Sequence, residues 1–473
     1  MKNLISVAII LLLLISCKEG RLKDKDNDIR LNKTKLESKV DRLAEEYIQL
    51  DIFSGVILIA EKGKAVYHKP FGLANREEGI PNKRNTLFDI GSMNKTFTSI
   101  VVKQIIAEGK LNYNEKLTDY IQGYEDPRVK DITIKHLLDH ESGFGDYHKK
   151  GFFDLPKEDK TLHAIVDMTR NMSLEFDPGT EEMYSNTGYV LLGAIIEEVS
   201  GESYFQNVRE RIIEPLKLRN TYLNNLSEID KDRAKGYYKT VSGELIRNDR
   251  YVDEPNPDGG FLSTAKDIMK FYRSYQYDTL LLSKTIKKSD PYFIFVADLP
   301  PGKAIVHAGG FEGFNTVAFQ IISDDIIIIV FSNMDEPVAE SLGMGILSII
   351  RGQEPPKPSL PATQLVYKFF NDRGIDYVRD NFEKLTVNFH PADPRDYILN
   401  IVGYNILSEG RTDEAIDLFK LNTEFFPEVA NCWDSLGEAY MVKGDTAAAR
   451  KAYSMALKIN PEMETARNAL DNL

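Results

Sequence analysis

Residues 88–100 read FDIGSMNKTFTSI, and within them Ser92 and Lys95 stand three apart where a run of helical apolar spacing begins. Residues i and i+3 share a helix face, so the lysine amine can reach the serine hydroxyl one turn back. An amine desolvated at a helix start gives up its proton more readily and can activate that hydroxyl as a nucleophile. The same pattern also describes a serine that caps a helix and a lysine on the wet face. A second match, Ser263-Thr264-Ala265-Lys266, shows that four letters alone decide nothing.

A nucleophile needs more parts: a proton acceptor, a base for the water that deacylates it, and two donors aimed at the oxyanion. Tyr184-Ser185-Asn186 follows Pro178-Gly179 and precedes a helix expected from about Tyr189. A tyrosine beside an ammonium has its phenolate favoured and can act as a base, and the Asn186 side chain could bind a substrate amide. Tyr222-Leu223-Asn224 repeats the Tyr-x-Asn spacing, but its surroundings, LRNTYLNN, read as a turn. Further on, His307-Ala308-Gly309-Gly310 ends a β-type run. Glycines there would let a substrate backbone pair with the strand edge, and the Gly310 N–H could join that of Ser92 as an oxyanion hole.

Around these segments the chain organises itself. A helix is expected from Leu36 to Leu50, then a hairpin turning at Lys62-Gly63. Phe97, Ile100, Val101, Ile105 and Ile106 mark one side of a helix over 93–108. A mostly helical middle runs to about Tyr275, followed by the β-type runs KAIVHAGG, NTVAFQII and DIIIIVFSN and the helix AESLGMGILSII. The Ile/Val-rich run reads as a buried central strand. Strands at both ends with helices between predict one mostly antiparallel sheet flanked by helices, an α+β fold.

Residues 351–362 are Pro-rich and polar and read as a linker. Beyond it, Gly403, Gly410, Ala415 and Pro427 recur 34 residues later as Gly437, Gly444, Ala449 and Pro461. That period suits a helix–turn–helix repeat. Residues 396–473 resemble tetratricopeptide repeats, specifically so in the second copy, where Trp433, Leu436, Tyr440, Tyr453 and Ala456 fill the pattern. Residues 363–395 read as a degenerate helical unit or connector, needed because fewer than three units rarely hold a core.

The chain has 473 residues, enough for two or three domains, and 42% hydrophobic content, enough to bury real cores. Its net charge of −13 disfavours nucleic acid, whose phosphates it would repel. At the start, a basic Lys2, an apolar run from Leu4 to Ile15, then Ser16 and Cys17 have the form of an export signal too short to span a membrane permanently. Leu14-Ile15-Ser16-Cys17 resembles the bacterial lipobox. That resemblance implies removal of residues 1–16, a lipid on Cys17, a polar tether over 17–35 and anchoring to a bacterial membrane on its periplasmic or outer face. The alternative is a plain signal peptide and a soluble exported protein. Cys432 is then left without a partner and reads as a packed, inert thiol.

With Ser92-x-x-Lys95, Tyr184-Ser185-Asn186 and His307-Ala308-Gly309 in this order, residues 36–350 resemble the serine β-lactamase and penicillin-binding protein superfamily, on its class C side. ITIKHLLDHESGF, IIEPLKLRNTYL and PDGGFLSTAKDI look like that family's recurrent segments. The resemblance implies a DD-peptidase-like or class C β-lactamase-like domain, an all-helical part included. It implies Ser92 as the acylated nucleophile, Lys95 and Tyr184 sharing its proton, Tyr184 activating the deacylating water, and Asn186, His307 and Gly309 binding substrate. It demotes Ser263 to a helix cap. Acyl transfer at Ser92 requires neither metal nor cofactor. His136 and His140 stand four apart but lack the glutamate of a zincin, and read as buried, hydrogen-bonded histidines.

The family often has Lys-Thr-Gly or Lys-Ser-Gly where this chain has His307-Ala308-Gly309. A histidine is shorter and largely neutral at pH 7, which weakens the expectation of carboxylate-anchored substrates. Expected substrates are therefore small esters, amides or D-amino-acid peptides, with β-lactams a further candidate. A different class of function is a catalytically silent scaffold that binds a protein or peptide through its repeats.

Overall fold

The computed structural model describes residues 33–149, 151–224, 226, 229, 232–248, 255–289, 297–299, 302–334, 337–387 and 395–473. The signal segment, Cys17 and most of the tether lie outside the described residues. The chain divides into two compact units: one holds residues up to 238 together with 247–358, the other 239–246 with 359–473.

In the first unit, helix α1 (Lys33–Gln49) leads into β1 (Gly55–Glu61) and β2 (Lys64–Phe71). Lys62 and Gly63 both have positive φ, 50° and 76°. This is the two-residue turn whose twist matches that of the flanking strands. Helix α2 (Asn94–Ala107), helix α3 (Asn186–Ser200) and helix α4 (Ala265–Tyr277) occupy the middle. Strands β3 (Ala297–Leu299), β4 (Gly302–Phe311), β5 (Phe314–Ile321) and β6 (Ile326–Ser332) and helix α5 (Val338–Ile350) complete it. The strands form one sheet in the order β3-β4-β5-β6-β1-β2, antiparallel throughout. The sheet expected from both ends of the unit is present.

Every residue of β5 and β6 is buried. Because side chains alternate across a pleat, β6 serves two layers. Ile327, Ile329 and Phe331 join the core that includes Phe97 and Phe271 from α2 and α4. On the β5 side facing α5, Phe319 and Val317 approach Gly343 so closely that a Cβ there would lie 2.3 Å from the Phe319 ring. Both layers exclude water from large apolar side chains, worth about 1.5–3 kcal/mol for each one fully buried. The Phe97 and Phe271 rings stack at 3.7 Å, and this contact fixes α2 against α4.

Helix α2 departs from the one-sided stripe expected of it. Phe97, Ile100, Val101 and Ile105 are fully buried, but so are Thr98 and Val102. It is a central helix, enclosed on nearly every side, so periodicity understated its burial. The stretch LRNTYLNN turns at Arg219–Asn220, as expected, but Thr221–Tyr222 is a short strand paired with Leu262–Ser263. Ser263 does not cap the helix after it. Its hydroxyl meets Thr221 at 2.9 Å, and Thr264 is the cap, accepting from the Asp267 N–H.

The second unit holds α6 (Ala362–Arg373), α7 (Ile375–Leu385), α8 (Arg395–Ser408), α9 (Thr412–Phe425), α10 (Ala430–Lys443), α11 (Thr446–Ile459) and α12 (Glu464–Asp471). The 34-residue period has a packing cause. A Cβ on Gly403 would meet the Phe419 ring at 2.7 Å, and one on Gly437 would meet the Tyr453 ring at 2.6 Å. In each helix pair an absent side chain admits the partner's aromatic ring. Cys432 is fully buried, and burial pushes its thiol up to about 12, which leaves it unreactive.

Candidate active site

The site begins where backbone meets backbone. Ser92 lies in a single tight turn, Gly91–Met93, that precedes α2, while Lys95 lies in the first turn of α2 itself. Gly91 has φ +49°, and a Cβ on it would lie 2.7 Å from the Gly310 nitrogen. From the other side, a Cβ on Gly309 would lie 2.0 Å from the Ile90 carbonyl oxygen and 3.0 Å from the Ser92 nitrogen. Thr316 Oγ1 donates towards both carbonyls of this contact, Ile90 at 3.2 Å and Gly309 at 3.1 Å. Only glycine permits so close a passage. As expected, His307-Ala308-Gly309-Gly310 lies at the end of strand β4, where Gly309 and Gly310 pair with Thr316 and Asn315. The Ser92 and Gly310 amides are thereby held on two adjacent backbones.

Lys95 is 7% exposed. Its Nζ donates to Ser92 Oγ at 3.2 Å, Asn186 Oδ1 at 2.6 Å and the Asp258 carbonyl at 2.7 Å. Three acceptors satisfy its three protons, yet burial still pushes the amine down to about 8, against the opposing pull of the Asp258 and Asp146 carboxylates. Residues 256–258 are fastened to α2 by Asn94 Nδ2 on the Asn256 carbonyl at 2.9 Å and Thr98 Oγ1 on the Pro257 carbonyl at 2.5 Å. The carbonyl that receives Lys95 is therefore fixed.

Tyr184 donates its hydroxyl to Ser92 Oγ at 2.8 Å. The expectation that the ammonium favours its phenolate fails: burial dominates and holds the phenol well above its ordinary range. Helix α3 starts at Asn186 rather than near Tyr189, because Ser185 caps it by accepting from the Gly188 N–H. Ser185 itself is set by His140, whose Nδ1 accepts the Ser185 N–H at 3.2 Å. The His140 ring lies 4.6 Å from the Tyr184 ring and 5.2 Å from that of Tyr189. Burial, and then the Lys95 charge, push His140 down to about 3, so it is neutral. His136 Nδ1 likewise accepts from the Thr133 N–H. Among the described residues no group of three or more His, Cys, Asp or Glu could hold a metal ion.

Asn186 is engaged at both ends. Its oxygen accepts from Lys95, and its Nδ2 donates to Asp146 Oδ2 at 2.6 Å and lies 3.4 Å from His148 Nδ1. His307 stacks on Tyr272 with ring centres 4.0 Å apart and lies 3.5 Å from Thr96 Oγ1. Burial pushes it down to about 3, so no positive charge stands at this strand position.

Sequence reasoning thus named Ser92, Lys95, Tyr184, Asn186, His307, Gly309 and Gly310, and the structure brings them to one place. It missed Asp146, Tyr147, His148 and Asp258. Tyr147 donates to both Asp258 carboxylate oxygens, at 3.2 and 3.1 Å. Asp258 lay in the quoted PDGG stretch and Asp146 just beyond ITIKHLLDHESGF, but neither sits at a spacing that marks it.

The β-lactamase family model matches residues 40–348, and a tetratricopeptide repeat model matches residues 430–463. Penicillin-binding protein 4* of Bacillus subtilis is 32% identical over 342 residues, which are 66% of this chain and 75% of that protein. The teichoic acid D-alanine hydrolase of Staphylococcus aureus is 30% identical over 267 residues, 56% of this chain and 64% of that protein. Among solved structures, the octameric penicillin-binding protein homologue from Pyrococcus abyssi is similar with a TM-score of 0.61 and 28% identity, covering 72% of this chain and 82% of that one.

Proposed function

The chain belongs to the β-lactamase family, and from that premise we propose that it is a serine hydrolase working through an acyl-enzyme at Ser92 on an ester or amide. The observation that carries this reading is that Ser92 Oγ lies within hydrogen-bond reach of both Lys95 Nζ and Tyr184 Oη, at 3.2 and 2.8 Å. A buried amine near pH 8 in its ionisation is a competent base at neutral pH.

Neutral Lys95 takes the Ser92 proton as Oγ attacks the carbonyl carbon. The negative charge on the carbonyl oxygen is met by the Ser92 and Gly310 N–H groups. On collapse the leaving alcohol or amine takes a proton from the Lys95–Tyr184 pair, and the acyl-enzyme remains. Tyr184 is a protonated relay rather than a standing phenolate. In deacylation it passes its proton to the departing Ser92 Oγ while accepting one from the attacking water. Asn186 holds Lys95 in place through its oxygen. His307 is a neutral wall, which favours substrates without a carboxylate next to the scissile bond.

The finer statements rest on sequence: export and a lipid on Cys17, supported by residues 1–17. A fluorophosphonate probe applied to fractionated cells tests both levels. Wild-type protein should label in the membrane fraction, Cys17→Ala should label in the soluble fraction, and Ser92→Ala should not label and should lose hydrolysis by about 10³-fold or more. Full labelling of Ser92→Ala would overturn the mechanism, and membrane retention of Cys17→Ala would overturn the anchor.

A further inference from the structure

His140 stands where a glycine is usual. The short helix Ile134–Leu138 is closed by the Glu141 N–H on the His136 carbonyl at 2.8 Å, and the chain leaves it through His140 with φ +61°. This left-handed exit is most often glycine, because a Cβ is strained there. A strained residue beside a reactive centre calls for a contact that only its side chain can make.

That contact is with the segment carrying Tyr184. Residues 181–185 lie in no helix or strand. Both amides that flank Tyr184 run to His140 instead. The Met183 N–H donates to the His140 carbonyl at 2.9 Å, and the Ser185 N–H donates to His140 Nδ1 at 3.2 Å. The left-handed turn thus aims the carbonyl and the ring of one residue at the same segment. The phenol ring is held as well, with the imidazole centre 4.6 Å from its own and Lys95 Nζ 4.9 Å away. Backbone and ring together leave the Tyr184 hydroxyl 2.8 Å from Ser92 Oγ.

The two halves of the reaction depend on this differently. Lys95 takes the Ser92 proton during acylation, and an ester with a stable leaving anion then needs no proton donor. Deacylation needs Tyr184 in place, to accept a proton from water and pass its own to Ser92 Oγ. We propose that His140 is the positioning residue for deacylation, holding Tyr184 by its two neighbouring amides and by its ring. This rests on the acyl-enzyme reading and assigns the control of its second half to a residue that touches no reacting atom.

The test is pre-steady-state hydrolysis of p-nitrophenyl acetate by the full chain, whose p-nitrophenolate leaves without a proton. Active sites are titrated with a fluorophosphonate probe, so unfolded protein drops out of every rate. His140→Gly keeps the left-handed backbone and removes the acceptor and the ring. It should release its first equivalent of p-nitrophenolate at the wild-type rate but deacylate about 10²-fold more slowly, so that the acetyl adduct on Ser92 accumulates by mass. His140→Asn tolerates the same backbone and returns a side-chain acceptor, and should deacylate about tenfold faster than His140→Gly, the worth of one hydrogen bond. Wild-type deacylation in His140→Gly, equal slowing of both steps, or His140→Asn no faster than His140→Gly overturns the proposal and leaves the acyl-enzyme intact. If His140→Gly has no titratable sites, His140→Asn decides alone, and a loss there of about 10²-fold overturns the proposal. Wild-type turnover with neither a burst nor a Ser92 adduct overturns the acyl-enzyme reading and this one with it.

Discussion

The two units solve packing at very different ranges along the chain. In the repeat unit, ties between successive helix pairs join residues 31 apart, Tyr404 to Ser435 and Asp434 to Thr465. In the hydrolase unit, Lys95 is held by Asn186, 91 residues on, and by Asp258, 163 residues on. Local ties repeat and so print a period on the sequence. Distant ties close once, and only the residue types at their ends are visible. The difference also separates what each unit risks: a fault in a repeat weakens its neighbours, whereas a fault at the site disorganises parts that are far apart in sequence.

Three experiments would break or sharpen this contrast. The largest effect is expected from pH. Lys95 must be neutral to act, and burial sets its amine at about 8. kcat/KM for ester hydrolysis should therefore fall about tenfold per pH unit below that value, or about 10³-fold by pH 5. A flat profile from pH 6 to 9 would remove Lys95 as the base. The stability sign runs alongside: the folded amine sits below its ordinary 10.5, so the unfolded chain binds more protons between about 8 and 10.5, and stability rises with pH across that window.

Next comes Gly309→Ala. Its Cβ would lie 2.0 Å from the Ile90 carbonyl, so β4 and the Ser92 turn must part. The expected loss is about 10²-fold in kcat/KM and about 1–3 kcal/mol in stability. A variant with wild-type kinetics and melting temperature would show that the backbone contact is looser than described. The smallest effect is Gly437→Val, which pushes a side chain into the Tyr453 ring, 2.6 Å from the Cβ position. A loss of about 1–3 kcal/mol is expected, visible as faster amide exchange in residues 430–473. Equal acceleration across residues 33–350 would contradict the locality of the repeat unit.

Much of the fold was legible for simple physical reasons. The hairpin at Lys62-Gly63 announced itself because two β-rich runs meet at a glycine-containing pair, and the positive φ of both residues is the backbone form of that turn. The run IIIIVFS announced a central strand because both of its faces are buried. Helix boundaries were less legible. Asn186 opens α3 because Ser185 finds a backbone N–H to cap, a contact no periodicity reveals. Ser92, Lys95 and Tyr184 were legible as residue types at known spacings. The ionisation of Tyr184 was not, since burial outweighs the neighbouring amine and burial is a property of the folded surroundings. Asp258 was hidden because Tyr147 and Lys95, which it meets, are distant in sequence, and Asp146 because its tie to Asn186 spans 40 residues and its near contact with His148 marks no motif.

The ring of Tyr453 resting where Gly437 has no side chain, and that of Phe419 where Gly403 has none, bears on how such a chain changes over generations. A 34-residue segment that carries its own gap and its own ring can be copied in tandem and will fit the copy before it, so the helical unit can lengthen by single duplication events. No one segment of the hydrolase carries its centre, so copying any one of them adds no second centre. The two halves of this molecule are therefore open to different histories, one by adding units and the other only by exchanging residues in place.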